Sequence, residues 1–188
     1  MLIYEALEKD HLKITSLIDE LLEAGEKNES RRAKLLLGEI RDELIPHSRA
    51  EEAVFYNVLA SLEHNSAEPL ILHRGYHEHI EAESLLRTLI GKDVIDSEWK
   101  MLARRFQKIT EEHVQEEEEE IFATAKHLLS DLESEMMART FEELKPLVQK
   151  EGWVKDTLDL VVQIVPPKYA ATLRTIALRP EQLIKPLL

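Results

Sequence analysis

Apolar residues return every three or four positions along most of the chain, the period of an α-helix, and no stretch alternates as a strand does. The spacing predicts a first helix from Ile3 to Ala24, with Gly25 placed to cap its C-terminal end. A second runs from Ser30 to about Glu63 and contains Pro46, which removes a backbone donor and should kink it. A third starts near Ser66, carries Pro69 in its first turn and stops at Gly91; a fourth runs from Ser97 to about Leu129. Ser130-Asp131-Leu132-Glu133 reads as a capping box that opens a fifth helix, ending near Lys150. The segment from Trp153 to Val165 is amphipathic, Pro166-Pro167 breaks it, and Lys168 to Leu188 is locally basic. Four long helices with short connections predict an all-α fold, an antiparallel up-down-up-down four-helix bundle over residues 1–129. Residues 130–188 then form a C-terminal helical extension packed on the bundle or on a partner subunit, which makes that extension the expected route to a homo-oligomer.

The core-facing stripe of each bundle helix is interrupted by polar residues. The first stripe is Tyr4, Leu7, His11, Ile14, Ile18 and Leu21, and the second is Leu36, Ile40, Leu44, His47, Glu51, Val54, Val58 and Leu62. The third is Leu72, Tyr76, His79, Glu83, Leu86 and Ile90, and the fourth is Leu102, Phe106, Ile109, His113, Glu117, Ile121 and Ala125. Each stripe thus carries a histidine near its middle; the second and fourth carry a glutamate one turn later, and Glu83 stands at the same spacing on the third. An unpaired carboxylate in a bundle interior costs several kcal/mol (roughly, as an effective penalty), and several together are untenable without a counter-charge. A metal centre resolves the conflict, because imidazole and carboxylate are ligands suited to first-row metals. The four-residue spacing of His47/Glu51 and of His113/Glu117 puts both members of each pair on one helix face.

The two halves of the bundle repeat. His11 and His79 are 68 positions apart, while His47/His113 and Glu51/Glu117 are each 66 apart. The flanks agree: Glu51-Glu52 with Phe55-Tyr56 matches Glu117-Glu118 with Ile121-Phe122, and Asp10-His11 matches Glu78-His79. A doubled hairpin predicts a pseudo-two-fold site able to hold two metals, with one carboxylate from each half free to bridge them. His73 and His77 are an alternative four-residue pair on the third helix, although the register of Leu85, Leu86 and Leu89 favours His79. Glu116 to Glu120 reads as a solvated face with only Glu117 turned inward; His64 and His127 read as surface or helix-end positions, and Tyr4 and Tyr76 as core aromatics.

This H…HxxxE…H…HxxxE series, over about residues 4–128, resembles the hemerythrin-like HHE cation-binding domain. The resemblance implies a centre of two non-haem iron ions, oxo- or hydroxo-bridged, inside the bundle. It implies His11, His47, His79 and His113 as terminal ligands and Glu51 and Glu117 as bridging carboxylates. It also implies a small ligand, oxygen, nitric oxide or peroxide, that is bound or sensed. One position departs from the pattern: oxygen-carrying hemerythrins have a further histidine four residues before the one that His79 matches, and here that residue is Gly75. The expectation is a more open coordination sphere, or one that Glu83 completes.

Composition narrows the classes further. The 188 residues include no cysteine, which excludes disulfides, thiolate metal sites and cysteine nucleophiles. A formal charge of -13 argues against a nucleic-acid partner. The N-terminal ten residues do not read as a signal peptide, no run is long enough to span a membrane, and a cytoplasmic location is expected. No nucleophilic triad or phosphate loop is present, so no side chain is assigned a catalytic role. A di-iron redox enzyme (ferroxidase, peroxide or nitric-oxide turnover) and a helical interaction module with a structural metal remain as alternatives.

Overall fold

The computed structural model describes residues 1–62 and 69–151, and every element among them is a helix. In chain order these are α1 (Ile3–Glu26), α2 (Ser30–Glu51), a π-helical turn (Glu52–Tyr56), α3 (Asn57–Leu62), α4 (Pro69–Ile90), α5 (Ser97–Glu116), a second π-helical turn (Glu117–Ile121), α6 (Phe122–Leu128) and α7 (Asp131–Glu151). No described helix is long and apolar enough to cross a membrane. The segment from Trp153 to Leu188, and His64 with the start expected near Ser66, lie outside the described residues, as does the side chain of His73.

Helices α1, α2, α4 and α5 close a ring in which α1 packs on α2 and α5, and α4 packs on α2 and α5. Helix α7 lies against α1 and α2 and puts Met137, Ala138, Phe141 and Leu144 into the core. The capping box that opens α7 is formed: the Ser130 amide donates to Glu133 at 2.9 Å, and the Glu133 amide reaches the Ser130 hydroxyl at 3.4 Å. Ser134 on the first turn of α7 accepts a hydrogen bond from the Ile3 amide at 3.0 Å, which ties down the start of α1.

Two expectations about helix ends need correction. The first helix runs past Gly25 to Glu26, and Asn28, at φ 54°, takes the left-handed conformation that ends it. Gly25 answers instead to packing, because a Cβ there would stand 2.5 Å from the buried Trp99 ring. The long second and fourth helices are not continuous α-helices either. Each is wound more loosely over five residues immediately around or after its glutamate, at Glu52–Tyr56 and Glu117–Ile121. Single π turns occur frequently at functional sites in helices.

The core divides into two apolar blocks. One gathers Ile14, Ile18, Leu21, Leu36, Ile40, Leu86, Trp99 and Phe106 among others, and the second gathers Ile3, Leu7, Val54, Phe55, Tyr56, Phe122 and Phe141 among others. A buried polar layer of His11, His47, Glu51, His79, His113 and Glu117 separates them.

Candidate metal centre

Each helix of the ring delivers its histidine to this layer from the stripe the sequence marks, and the carboxylates of Glu51 and Glu117 follow one turn later. The His11 Nε2 lies 3.1 Å from Glu117 Oε2, and His79 Nε2 lies 3.2 Å from Glu51 Oε2. His47 Nε2 is 3.6 Å from Glu51 Oε2 and His113 Nε2 is 4.0 Å from Glu117 Oε2. The Nε2 atoms of His79 and His113 approach to 3.1 Å. Two sets of donor atoms, His11/His47/Glu51 and Glu51/His79/His113, each fall within 4.8 Å of one another and are able to hold a cation, with Glu51 shared.

The layer is sealed. Glu51 and Glu117 are fully buried, and the four histidines are at most 7% exposed. Both oxygens of Glu51, both of Glu117 and the Nε2 of His11 have no well-formed hydrogen bond. A buried polar atom left this way costs about 1–3 kcal/mol, and more when charged. Five such atoms converging on one point are what cation ligands look like, so the residues fit a metal pair.

The opposite edge of every imidazole is held by a carboxylate from a neighbouring helix. Nδ1 of His11 meets Glu118 at 2.9 Å, that of His47 meets Asp10 at 3.4 Å, that of His79 meets Glu52 at 3.0 Å and that of His113 meets Glu78 at 3.0 Å. This contact fixes the ring so that Nε2 faces inward and makes it a better donor. Sequence reasoning missed all four acids, and Glu118 corrects the reading of Glu116 to Glu120 as solvated apart from Glu117. The signal was present in the repeat: Asp10 and Glu78 precede the matched histidines, and Glu52 and Glu118 follow the matched glutamates. Three of these acids are backed by cations. Lys145 of α7 reaches Asp10 at 2.8 Å, Arg49 reaches Glu52 at 3.0 Å and Arg74 reaches Glu78 at 3.1 Å.

Protons balance charge in the layer. Burial works to push the His11 imidazole down, but the Glu117 carboxylate facing its Nε2 and the hydrogen bond to Glu118 outweigh it and bring the group up to about 10. Burial draws His47 down to about 4 against the pull of Asp10, and it lowers His113 as well. Burial and the facing Glu117 carboxylate push Glu51 well above the usual carboxylate range. Burial opposes ionisation of Glu117 too, yet its bond to His11 holds it below that range.

Glu83 does not complete the layer, because Arg49 takes its carboxylate at 2.8 Å and Arg87 approaches at 3.3 Å. His77 and His127 are exposed. Tyr76 donates to Asn57 at 2.9 Å. The space opened by Gly75 is not empty: a Cβ there would stand 2.6 Å from the hydroxyl of Tyr56. On the imidazole side of the layer lies a small cavity walled by the four histidines, by Ile14, Leu44, Ala82, Ile109 and Val114, and by Glu78 and Thr110. Its room, about 20 Å³ for the centre of a water-sized molecule, suits a water or a diatomic.

The model of the hemerythrin HHE cation-binding domain matches residues 2–125. A protein of Nostoc sp. (strain PCC 7120 / SAG 25.82 / UTEX 2576) named DNA nickase is 28% identical over 150 residues, which are 80% of this chain and 41% of the relative. The chain therefore spans about two fifths of that relative's length. No solved structure matches the chain.

Proposed function

The chain belongs to the hemerythrin HHE cation-binding family, and from that premise we propose that it holds two iron ions in the polar layer of an antiparallel up-down-up-down bundle and binds or senses a small ligand there. His11 and His47 would hold one ion and His79 and His113 the other, with Glu51 and Glu117 shared between them. When bound, such a pair supplies open coordination positions and one-electron chemistry for oxygen, nitric oxide or peroxide. The chain's own part is positional. Asp10, Glu52, Glu78 and Glu118 lock the imidazoles with Nε2 inward, and the two apolar blocks keep bulk water from the layer. The cavity beside the imidazoles admits a molecule of two or three atoms.

The observation that carries this reading is the convergence of six buried side chains of ligand type, with both oxygens of Glu51, both of Glu117 and the Nε2 of His11 left without a well-formed hydrogen bond. Metal content and visible absorption test it on protein purified without chelators: two iron ions per chain with oxo-bridged absorption are expected. Reduced protein mixed with oxygen and then purged should return to the ferrous form. Consumption of oxygen or peroxide in place of that reversal makes the centre a redox enzyme. His113→Ala combined with Glu117→Ala should abolish bound iron with helix content largely kept, and full iron loading of that variant refutes the ligand set.

A second reading comes from the Nostoc relative, whose name makes it an enzyme acting on DNA. On that reading the ion pair would serve phosphodiester cleavage. Incubating the loaded chain with supercoiled DNA decides it. Nicking abolished by the His113→Ala/Glu117→Ala change supports it, and intact supercoils leave the small-ligand reading. The formal charge of -13 favours the second outcome.

A further inference from the structure

The two halves of the bundle bring the same ligand types to the polar layer but differ in what lies beside them. Four positions before His11 stands Leu7, and four before His79 stands Gly75. Five positions after Glu117 stands Phe122, and five after its counterpart Glu51 stands Tyr56, so Phe122 in one half corresponds to Tyr56 in the other. The aromatic rings play equivalent structural parts. Phe122 stacks on His11 with centroids 6.3 Å apart and an interplanar angle of 12°, and Tyr56 stacks on His79 at 5.7 Å and 0°. The first half thus uses a large aliphatic residue with a phenyl ring, where the second uses no side chain with a phenol. The exchange gives up the four carbons of the leucine side chain and places one hydroxyl. That hydroxyl occupies the ground a side chain from position 75 would cross to reach the ions, since a Cβ there would lie 2.6 Å from it.

The hydroxyl has no structural use among the described residues. Tyr56 is 0% exposed, and its hydroxyl faces the Glu117 carboxylate without a well-formed hydrogen bond, unlike that of Tyr76, which is satisfied by Asn57. A buried hydroxyl without a partner is a net cost, so a phenylalanine would serve packing better. The carboxylates of Glu51 and Glu117 are its charged neighbours, and with burial they keep the phenol protonated in the free chain.

We propose that Tyr56 is an oxygen ligand of the ion held by His79 and His113, filling the position left by Gly75, and that the two ions are for this reason chemically unequal. The ion at His11 and His47 faces Leu7 and Phe122, which donate nothing, and so keeps the open position for an exogenous ligand. The inference rests on the metal reading above and concerns which oxygen completes it. The expectation of a coordination sphere open beside Gly75 changes accordingly: the opening moves to the other half.

The test compares full-length wild type, Tyr56→Phe and the control Tyr76→Phe, loaded with ferrous iron without oxygen and then oxidised with ferricyanide. Ferric wild type and Tyr76→Phe should show phenolate-to-iron absorption with tyrosine ring modes in resonance Raman. Tyr56→Phe should lose both while keeping two iron ions per chain. Free Tyr56→Phe should melt at or above the wild-type temperature, because it sheds an unsatisfied hydroxyl, whereas a purely structural tyrosine would leave a weakened fold. Tyrosine modes that persist in Tyr56→Phe, or that are absent from wild type carrying two iron ions, overturn the proposal. Failure of wild type to bind iron is seen earlier, in the metal count, and overturns the metal reading together with it.

Discussion

Each imidazole of the layer works through two atoms, one turned to the centre and one tied to an acid on the next helix. The inward contacts follow from residues four apart on one helix and are therefore legible in sequence. The outward ones join residues such as His11 and Glu118, 107 positions apart, and no local spacing announces them. Only the doubling of Asp10/Glu78 and Glu52/Glu118 between the halves points to them. Glu118 tests their worth cleanly because its side chain is 37% exposed. Glu118→Gln should lower metal affinity about 10–100-fold with helix content and melting of the free chain nearly unchanged. A competition titration with a chromophoric chelator measures the loss. Proton release follows from the same layer. The free chain holds a proton on His11 up to about pH 10, whereas a metal binds the neutral ring. Loading at pH 7 should therefore release protons, and affinity should climb as pH rises towards 10. Calorimetry in two buffers of different ionisation enthalpy counts the protons, and equal heats in both would contradict the coupling.

At the scale of elements, helix existence was readable from periodicity, because each stripe had to bury itself. The π turns were not. They insert a residue without breaking the apolar pattern, and burial of four successive residues, Ala53 to Tyr56, reflects cover by α7 as well as by the ring. Helix α7 itself was foreseen as an extension from its capping box, but its link to the polar layer was not. It lies beyond residues 2–125, the span of the family domain, yet Phe141 packs edge-on against His47 at 5.7 Å and Lys145 holds Asp10, the partner of that histidine. Lys145→Met should leave Asp10 without its cation and loosen His47. Metal affinity should fall several-fold, with a loss of stability of about 3 kcal/mol, because the buried Asp10 carboxylate is left without its cation. Arg74→Met, which removes the more exposed cation behind Glu78, should change affinity less. Phe141→Ala should cost about 3–5 kcal/mol of stability by emptying a buried site, read from urea unfolding.

The described residues form two oily blocks with an ionic layer between them, an arrangement that a cation pair would make tolerable. Anything that binds only the folded state stabilises it by mass action, by about 2.7 kcal/mol when free ligand is a hundred times its dissociation constant. Stripping the loaded protein with a chelator should therefore lower its melting temperature, and restoring iron should return it. An unchanged melting temperature would mean that the layer is satisfied without metal. Position along the bundle also assigns work to the small cavity on the imidazole side. Hydrated anions such as chloride or phosphate would have to shed their water shells to pass Ile14, Leu44, Ala82 and Ile109, while dioxygen or nitric oxide carries almost no shell to lose. On the proposed reading, discrimination would begin with solvation, before any bond to the occupant is made.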